Sequence, residues 1–103
     1  MENIDIEDFC LFYKEMYHIG ADRRYSKREL WKIKAYCYAV IKVFGFSISK
    51  AAQAIHKDHT TLMYHMRRSN EANERDGTLL ANAYKYVKSK ENKNAKPRLY
   101  SRI

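Results

Sequence analysis

Apolar positions recur at helical spacing through most of the chain. Phe9, Phe12, Tyr13 and Met16 stand at i, i+3, i+4 and i+7, which predicts an amphipathic helix over residues 4–18. Asn3 or Asp5 can cap its start, the acidic first turn suits the helix dipole, and Gly20 is expected to end it. Leu30, Ile33, Cys37, Val40, Ile41 and Phe44 fall on one stripe. Ser26-Lys27-Arg28-Glu29 has capping-box spacing just before them, so a long helix over 26–44 is expected, closed by Gly45. Ser47 opens a short helix with Ile48, Ala51, Ala52 and Ile55. His56-Lys57 breaks that pattern, and Asp58 restarts it as an N-cap with Leu62, Met63 and Met66 on the inner face. Glu71–Gly77 reads as a polar loop, after which Thr78 caps a last helix with Leu80, Ala83, Tyr84 and Val87 inward. No strand alternation or internal repeat is visible. The expected fold class is all-α: a single domain over 1–90 with about five helices around a helix–turn–helix, followed by a basic, disordered tail over 91–103.

Charge adds a direction to this pattern. The 103 residues carry a net charge of +8 and a pI near 9.5, which suits a polyanionic partner. Residues 1–20 hold Glu2, Asp5, Glu7, Asp8 and Glu15 against Lys14, a net of −4, so the rest of the chain carries +12. Gly20, Gly45 and Gly77 are the only glycines, and no window can form a glycine-rich phosphate cradle. No apolar run approaches the ~18 residues of a membrane span, and no secretory signal opens the chain. Cys10 and Cys37 sit in apolar patterns and read as reduced, packed thiols, so a cytoplasmic protein is expected.

The chemistry concentrates in residues 47–68. The second helix of this segment begins with Asp58, His59, Thr60 and Thr61 and ends with Arg67 and Arg68. Such a helix suits a major groove: Asp accepts from cytosine N4, and His and Thr bond base edges. Lys57, Tyr64 and Arg68 are placed for positioning contacts to phosphates.

Lys57-Asp58-His59-Thr60-Thr61-Leu62-Met63-Tyr64-His65 resembles the signature R-D-H-[ST]-T-V-x-H-A of the C-terminal DNA-binding domain of the bacterial replication initiator DnaA. The order of long helix, short helix and preceding basic loop is similar over roughly residues 3–90, with residue-level specificity confined to 57–61. The resemblance implies a Trp-repressor- or DnaA-like helix–turn–helix reading an A/T-rich box on duplex DNA. Base contacts would fall to Lys57, Asp58, His59, Thr60 and Thr61. A minor-groove loop would be supplied by Arg23, Arg24, Lys27 and Arg28, with Arg24 first. Lys32, Lys34, Ser49, Tyr64, Arg67 and Arg68 would hold phosphates. The sequence departs from the family in its turn, where His56-Lys57 replaces Gly-Gly-Arg, and at Tyr64 and His65, where His and Ala are usual. With no P-loop possible, the expectation is a DNA-reading domain used alone, as a phage, plasmid or other mobile element would encode, in control of replication or transcription.

Blander readings stand beside these. Asp58 is also a plain N-cap, and the basic run 23–34 is also a solvated face, although its place before the long helix favours DNA. The basic stretch 85–102 reads equally as a solubilising end. His56, His59 and His65 lack a fourth ligand nearby, and His59 and His65 fall on different helix faces, which argues against zinc. Tyr13, Tyr36 and Tyr84 fit half-buried packing positions better than base-stacking ones, and Met63 and Met66 fit the core. Sparse acids and scattered serines point away from an enzyme. The expected cofactor list is empty, with no nucleotide and no membrane partner, and a monomer is favoured. A second reading is a protein-interaction module that engages replication proteins through the acidic first helix.

Overall fold

The computed structural model describes residues 4–19 and 27–94, with side chains described as far as Glu91. Five α-helices follow one another: α1 (Ile6–Met16), α2 (Leu30–Cys37), α3 (Ile48–Ala54), α4 (His59–Arg67) and α5 (Glu71–Asn94). No strand occurs among the described residues, and none of their helices is long and apolar enough to cross a membrane. Gly20, Arg23, Arg24, Ser26 and the tail beyond Asn94 lie outside the described residues.

Asp5 caps α1, its carboxylate accepting from the Glu7 N–H at 3.0 Å. The helix ends at Met16, short of the expected Gly20, because His18 takes a left-handed φ of 56° and turns the chain. Ile19 N–H then reaches Lys14 C=O at 2.9 Å and His18 N–H reaches Glu15 C=O at 3.3 Å. That pair of bonds is the Schellman closure usually built on glycine. Phe9, Phe12 and Tyr13 are buried as their spacing predicts, but Met16 is 47 % exposed at the helix end.

α2 begins later than the capping-box spacing predicts. Lys27–Glu29 form a 3-10 turn, and Glu29 makes no cap bond, its carboxylate lying 3.7 Å from the Lys32 ammonium instead. After Cys37 the helix widens to i→i+5 bonding over Tyr38–Val43, and Gly45 at φ 81° closes it. The predicted stripe is buried at Ile33, Cys37, Val40 and Phe44, with Leu30 and Ile41 at its margin. Ala35, Tyr36 and Ala39 are also fully buried, because α2 and its extension are packed by α1, α4 and α5 from several sides.

The expected loop over Glu71–Gly77 is the first third of α5. Asn70 and Asn73 cap that helix reciprocally, each side-chain oxygen accepting from the other's N–H at 3.0–3.1 Å. Thr78, the expected cap, lies inside the helix and donates to Glu74 C=O at 3.0 Å. Gly77 is there for space: a Cβ at this position would come within 2.8 Å of both Ala35 C=O and Tyr38 Cβ. Its hydrogen lets α5 lie against the backbone of α2.

Aromatic rings fill the space between α1, α2 and α5. Phe9 meets Tyr84 and Phe44 edge-on, with centroids at 5.1 and 5.2 Å, and Tyr13 leans on Tyr36 at 4.7 Å. Tyr13, Tyr36 and Tyr84 are therefore core residues, more deeply buried than the half-buried positions expected. Tyr84 also donates to the Asp8 carboxylate at 2.9 Å, and Lys88 pairs with the same carboxylate at 2.8 Å. These bonds tie α5 to α1.

Candidate nucleic-acid interface

α3 and α4 form a pair joined by Ile55–Asp58. Ser47 caps α3 by accepting from Lys50 N–H at 3.1 Å, and Ala51 and Ala52 are small enough to bury their helix closely. Tyr36 Oη donates to Ala51 C=O at 2.8 Å, and Cys10 Sγ lies 3.3 Å from the same phenol. The phenol has one proton, already given to Ala51, so the Cys10 thiol is the donor to Tyr36. This chain of bonds fixes α3 to α2 and α1.

The turn closes without glycine. His56 takes φ 58°, Lys57 N–H bonds Ala52 C=O at 2.9 Å, and His56 N–H bonds Gln53 C=O at 3.1 Å. The geometry repeats the end of α1 with a histidine in the same role. Asp58 then caps α4, its carboxylate accepting from Thr60 N–H at 3.2 Å and from the Thr60 hydroxyl. Those bonds, led by the hydroxyl, hold the Asp58 carboxyl below its ordinary range. His59 Nδ1 stands 3.9 Å from the other carboxylate oxygen.

α4 has two faces. Leu62 and His65 point inward, with Thr61 and Met66 on the flanks. His59, Thr60, Met63, Tyr64 and Arg67 form the exposed face. Met63, expected in the core, is 36 % exposed because it lies one residue past the Leu62 stripe. Arg68 follows at the end of the helix with its guanidinium 3.9 Å above the Tyr64 ring. The Ser69 hydroxyl closes α4 by bonding to Met66 and His65 carbonyls at 2.9 and 3.2 Å.

The remaining basic candidates divide between two sides of the molecule. Lys34, on α2, faces α4 and is half-buried, as is Lys57 at the turn. Lys32 points the other way, donating to Tyr17 C=O at 2.9 Å. Lys27 and Arg28 are exposed in the turn before α2, and Ser49 is exposed on α3. Arg23 and Arg24 lie outside the described residues.

One residue of this region was missed by the sequence reading. His65 is 6 % exposed, and its Nδ1 has no hydrogen-bond partner. Burial first, then the positive charges of Lys34, Lys57 and Arg68, lower its pKa. The available signal was its place three residues after Leu62, on the inner stripe of α4. Both cysteines are free and buried, with burial raising the Cys10 thiol and pushing Cys37 up to about 12. Comparison of the chain with protein-family models, curated proteins and solved structures gives no match.

Proposed function

We propose that this chain reads duplex DNA with α4, in the manner of the DnaA C-terminal domain that its sequence resembles. The observation that carries the reading is the outer face of α4. Asp58, His59 and Thr60 stand exposed at its start, and Tyr64, Arg67 and Arg68 are exposed toward its end. A helix entering a major groove N-terminus first puts hydrogen-bonding side chains on base edges and cations on flanking phosphates. In this reading Asp58, His59 and Thr60 contact bases, with Lys57 and the half-buried Thr61 at the edge of the contact. Lys34, Ser49, Tyr64, Arg67 and Arg68 hold the backbone, and Lys27 and Arg28 lie at the base of the minor-groove loop. The output is control of replication or transcription at an A/T-rich box. The module acts as a monomer without cofactor or nucleotide, and it is not an enzyme. Several of its carboxylates are spent on structure: Asp8 on Tyr84 and Lys88, Glu29 on Lys32, Glu91 on Lys88.

Binding to an initiator-type box and to a scrambled duplex at several salt concentrations tests this. Each mismatch should cost ~1–3 kcal/mol. Equal affinity for both duplexes removes specific reading, and a flat salt dependence removes DNA binding. The second reading, a protein-docking module, draws on Leu11 and Met16, which stand exposed on acidic α1. His59→Ala separates the two, abolishing box binding while leaving any contact through α1 unchanged.

A further inference from the structure

The end of α1 and the start of α2 leave a cavity against α5. Its volume is about 230 Å³, and Met16, Tyr17, Trp31, Asp76, Leu79 and Leu80 line it. None of these residues belongs to α3 or α4. The Tyr17 and Trp31 rings lie together in its wall, with centroids 5.0 Å apart and planes tilted by 54°. Met16, Trp31 and Leu79 are large apolar side chains left exposed around it. Such residues gathered at one cavity mark an interaction site, whereas single scattered ones do not. Asp76 adds a charge to this setting. Among the described residues, Asp8, Glu29, Asp76 and Glu91 are the half-buried carboxylates. Lys88 pairs with Asp8 and Glu91, and Lys32 lies beside Glu29. Asp76 has neither a hydrogen bond nor an ion pair there. A carboxylate drawn partly out of water and left unpaired is unfavourable, and an incoming cation relieves it.

We propose that this cavity receives one arginine side chain of a partner protein. Its volume of about 230 Å³ falls below the ~300–1,000 Å³ of small-molecule sites and suits a single anchoring side chain. Charge and ring chemistry select arginine. Its methylene stem covers the apolar lining, its planar guanidinium stacks on an aromatic ring, and its fork gives two parallel N–H bonds to the Asp76 carboxylate. A lysine ammonium meets the carboxylate only as a strongly hydrated point charge, and an apolar anchor covers Asp76 without neutralising it. Lys32 stands 6.0 Å from the Trp31 centroid, but it is held by Tyr17 C=O at 2.9 Å and Glu29 at 3.7 Å and does not line the cavity. Glu15, exposed beside Met16, extends negative charge toward the rim. A second copy is the poorer occupant, since each chain carries +8. The site is independent of the duplex reading. It also goes beyond docking on acidic α1, whose exposed Leu11 is not among the lining residues.

Trp31 is the only tryptophan of the chain, so its emission and its indole N–H signal in NMR report on the cavity. The test titrates the full chain with the capped peptide acetyl-Leu-Arg-Leu-amide, and with the same peptide carrying citrulline, which keeps the shape and loses the charge. The arginine peptide should shift both Trp31 signals saturably at millimolar concentration, at least ~10-fold more tightly than the citrulline peptide. Asp76→Asn should keep its helical circular dichroism and bind the two peptides equally. Equal binding of both by the wild type, or a preference that survives in Asp76→Asn, overturns the arginine assignment. Silence toward both peptides in the wild type and in Arg23→Ala and Arg24→Ala overturns the site. Two results overturn the partner by naming another occupant. A Trp31 response to rising protein concentration alone makes it a second copy. A peptide response seen only in Arg23→Ala or Arg24→Ala makes it an arginine of the same chain. Duplex binding is measured separately, and Asp76→Asn should leave the box preference unchanged. A wild-type chain that binds no duplex overturns the earlier DNA reading and leaves the peptide result standing.

Discussion

The α1–α2–α5 half and the α3–α4 half of this protein are held together by different means. In the first, large rings interlock: Phe9 alone lies within 6.4 Å, centroid to centroid, of Phe12, Tyr36, Phe44 and Tyr84. In the second, two helices of 7 and 9 residues are far below the ~12–15 at which an isolated helix becomes even marginal. Their inner residues are mostly small or aliphatic: Ala51, Ala52, Ile55 and Leu62. What they have instead is closure at every end, from Ser47, the His56 turn, Asp58 and Ser69. A segment stabilised by its caps and by one docked face keeps its other face free of packing duty. That division of labour is what lets α4 expose His59, Thr60, Tyr64 and Arg67 together.

The comparison breaks first where the rings are removed. Phe9→Ala should cost ~3–5 kcal/mol in urea unfolding, because four neighbouring rings cannot collapse into the space. An equal cost from Leu62→Ala would show that the α3–α4 half relies on packing as heavily as the core. Gly77→Ala comes next. The added methyl gains up to about 1 kcal/mol of helix propensity but meets backbone oxygen and Tyr38 Cβ at 2.8 Å. Overpacking costs typically ~1–3 kcal/mol, so a net loss of about 1–2 kcal/mol is expected. A stabilised variant would mean that α5 can move off α2 freely.

The two halves also titrate in opposite directions. In the core, burial pushes Cys37 up to about 12 from an ordinary 9.0 and Tyr17 up to about 12 from 10.0, so the unfolded chain loses these protons first. The contribution of these two groups is therefore flat below about pH 9 and falls as pH rises through the interval to about 12. In the α3–α4 half, His65 is lowered, so the unfolded chain takes up its proton first. Its contribution is complete above the ordinary value of 6.5 and is lost as pH falls below it. Urea midpoints measured from pH 7 down to pH 5, above the range of ordinary carboxylates, should fall in the wild type. The same series on His65→Phe should show a weaker decline, and an unchanged decline would place the acid sensitivity elsewhere.

Much of this was legible in the sequence, and the failures share a cause. Phe9, Phe12, Tyr13, Ile33, Cys37, Val40 and Leu80 announce their faces by spacing alone, and Asp5, Ser47 and Asp58 announce three caps. The start of α5 was hidden because its first turns are polar on nearly every side and contain Gly77, a residue that ordinarily signals a break. Its purpose there is set by Ala35 and Tyr38, some forty residues earlier in the chain. The Asn70-x-x-Asn73 pair was a readable cap signal that composition masked. The widening of α2 after Cys37 and the burial of His65 likewise depend on which helices lie alongside. In the candidate site, Asp58-His59-Thr60-Thr61 was visible as a motif, whereas the separation of Lys32 from Lys34 required knowing where α1 and α4 lie.

The finest comparison is between the two histidine turns. His18 and His56 hold φ 56° and 58°, both are solvent-exposed, and each ends a helix through the same pair of backbone bonds. The left-handed conformation costs a side-chain-bearing residue ~1–2 kcal/mol, while glycine there gives back ~0.5–1 kcal/mol through the entropy of the unfolded chain. Both His18→Gly and His56→Gly should therefore stabilise, each by about 0.5 kcal/mol, and the double variant should be additive because the turns share no partner. Urea midpoints of the three variants check this. A gain at His18 with a loss at His56 would show that the second ring supports the α3–α4 turn by more than its backbone. Duplex affinity then gives the sharper reading. His18→Gly should leave it unchanged, and so should His56→Gly if the turn acts only by setting the angle at which α4 is presented.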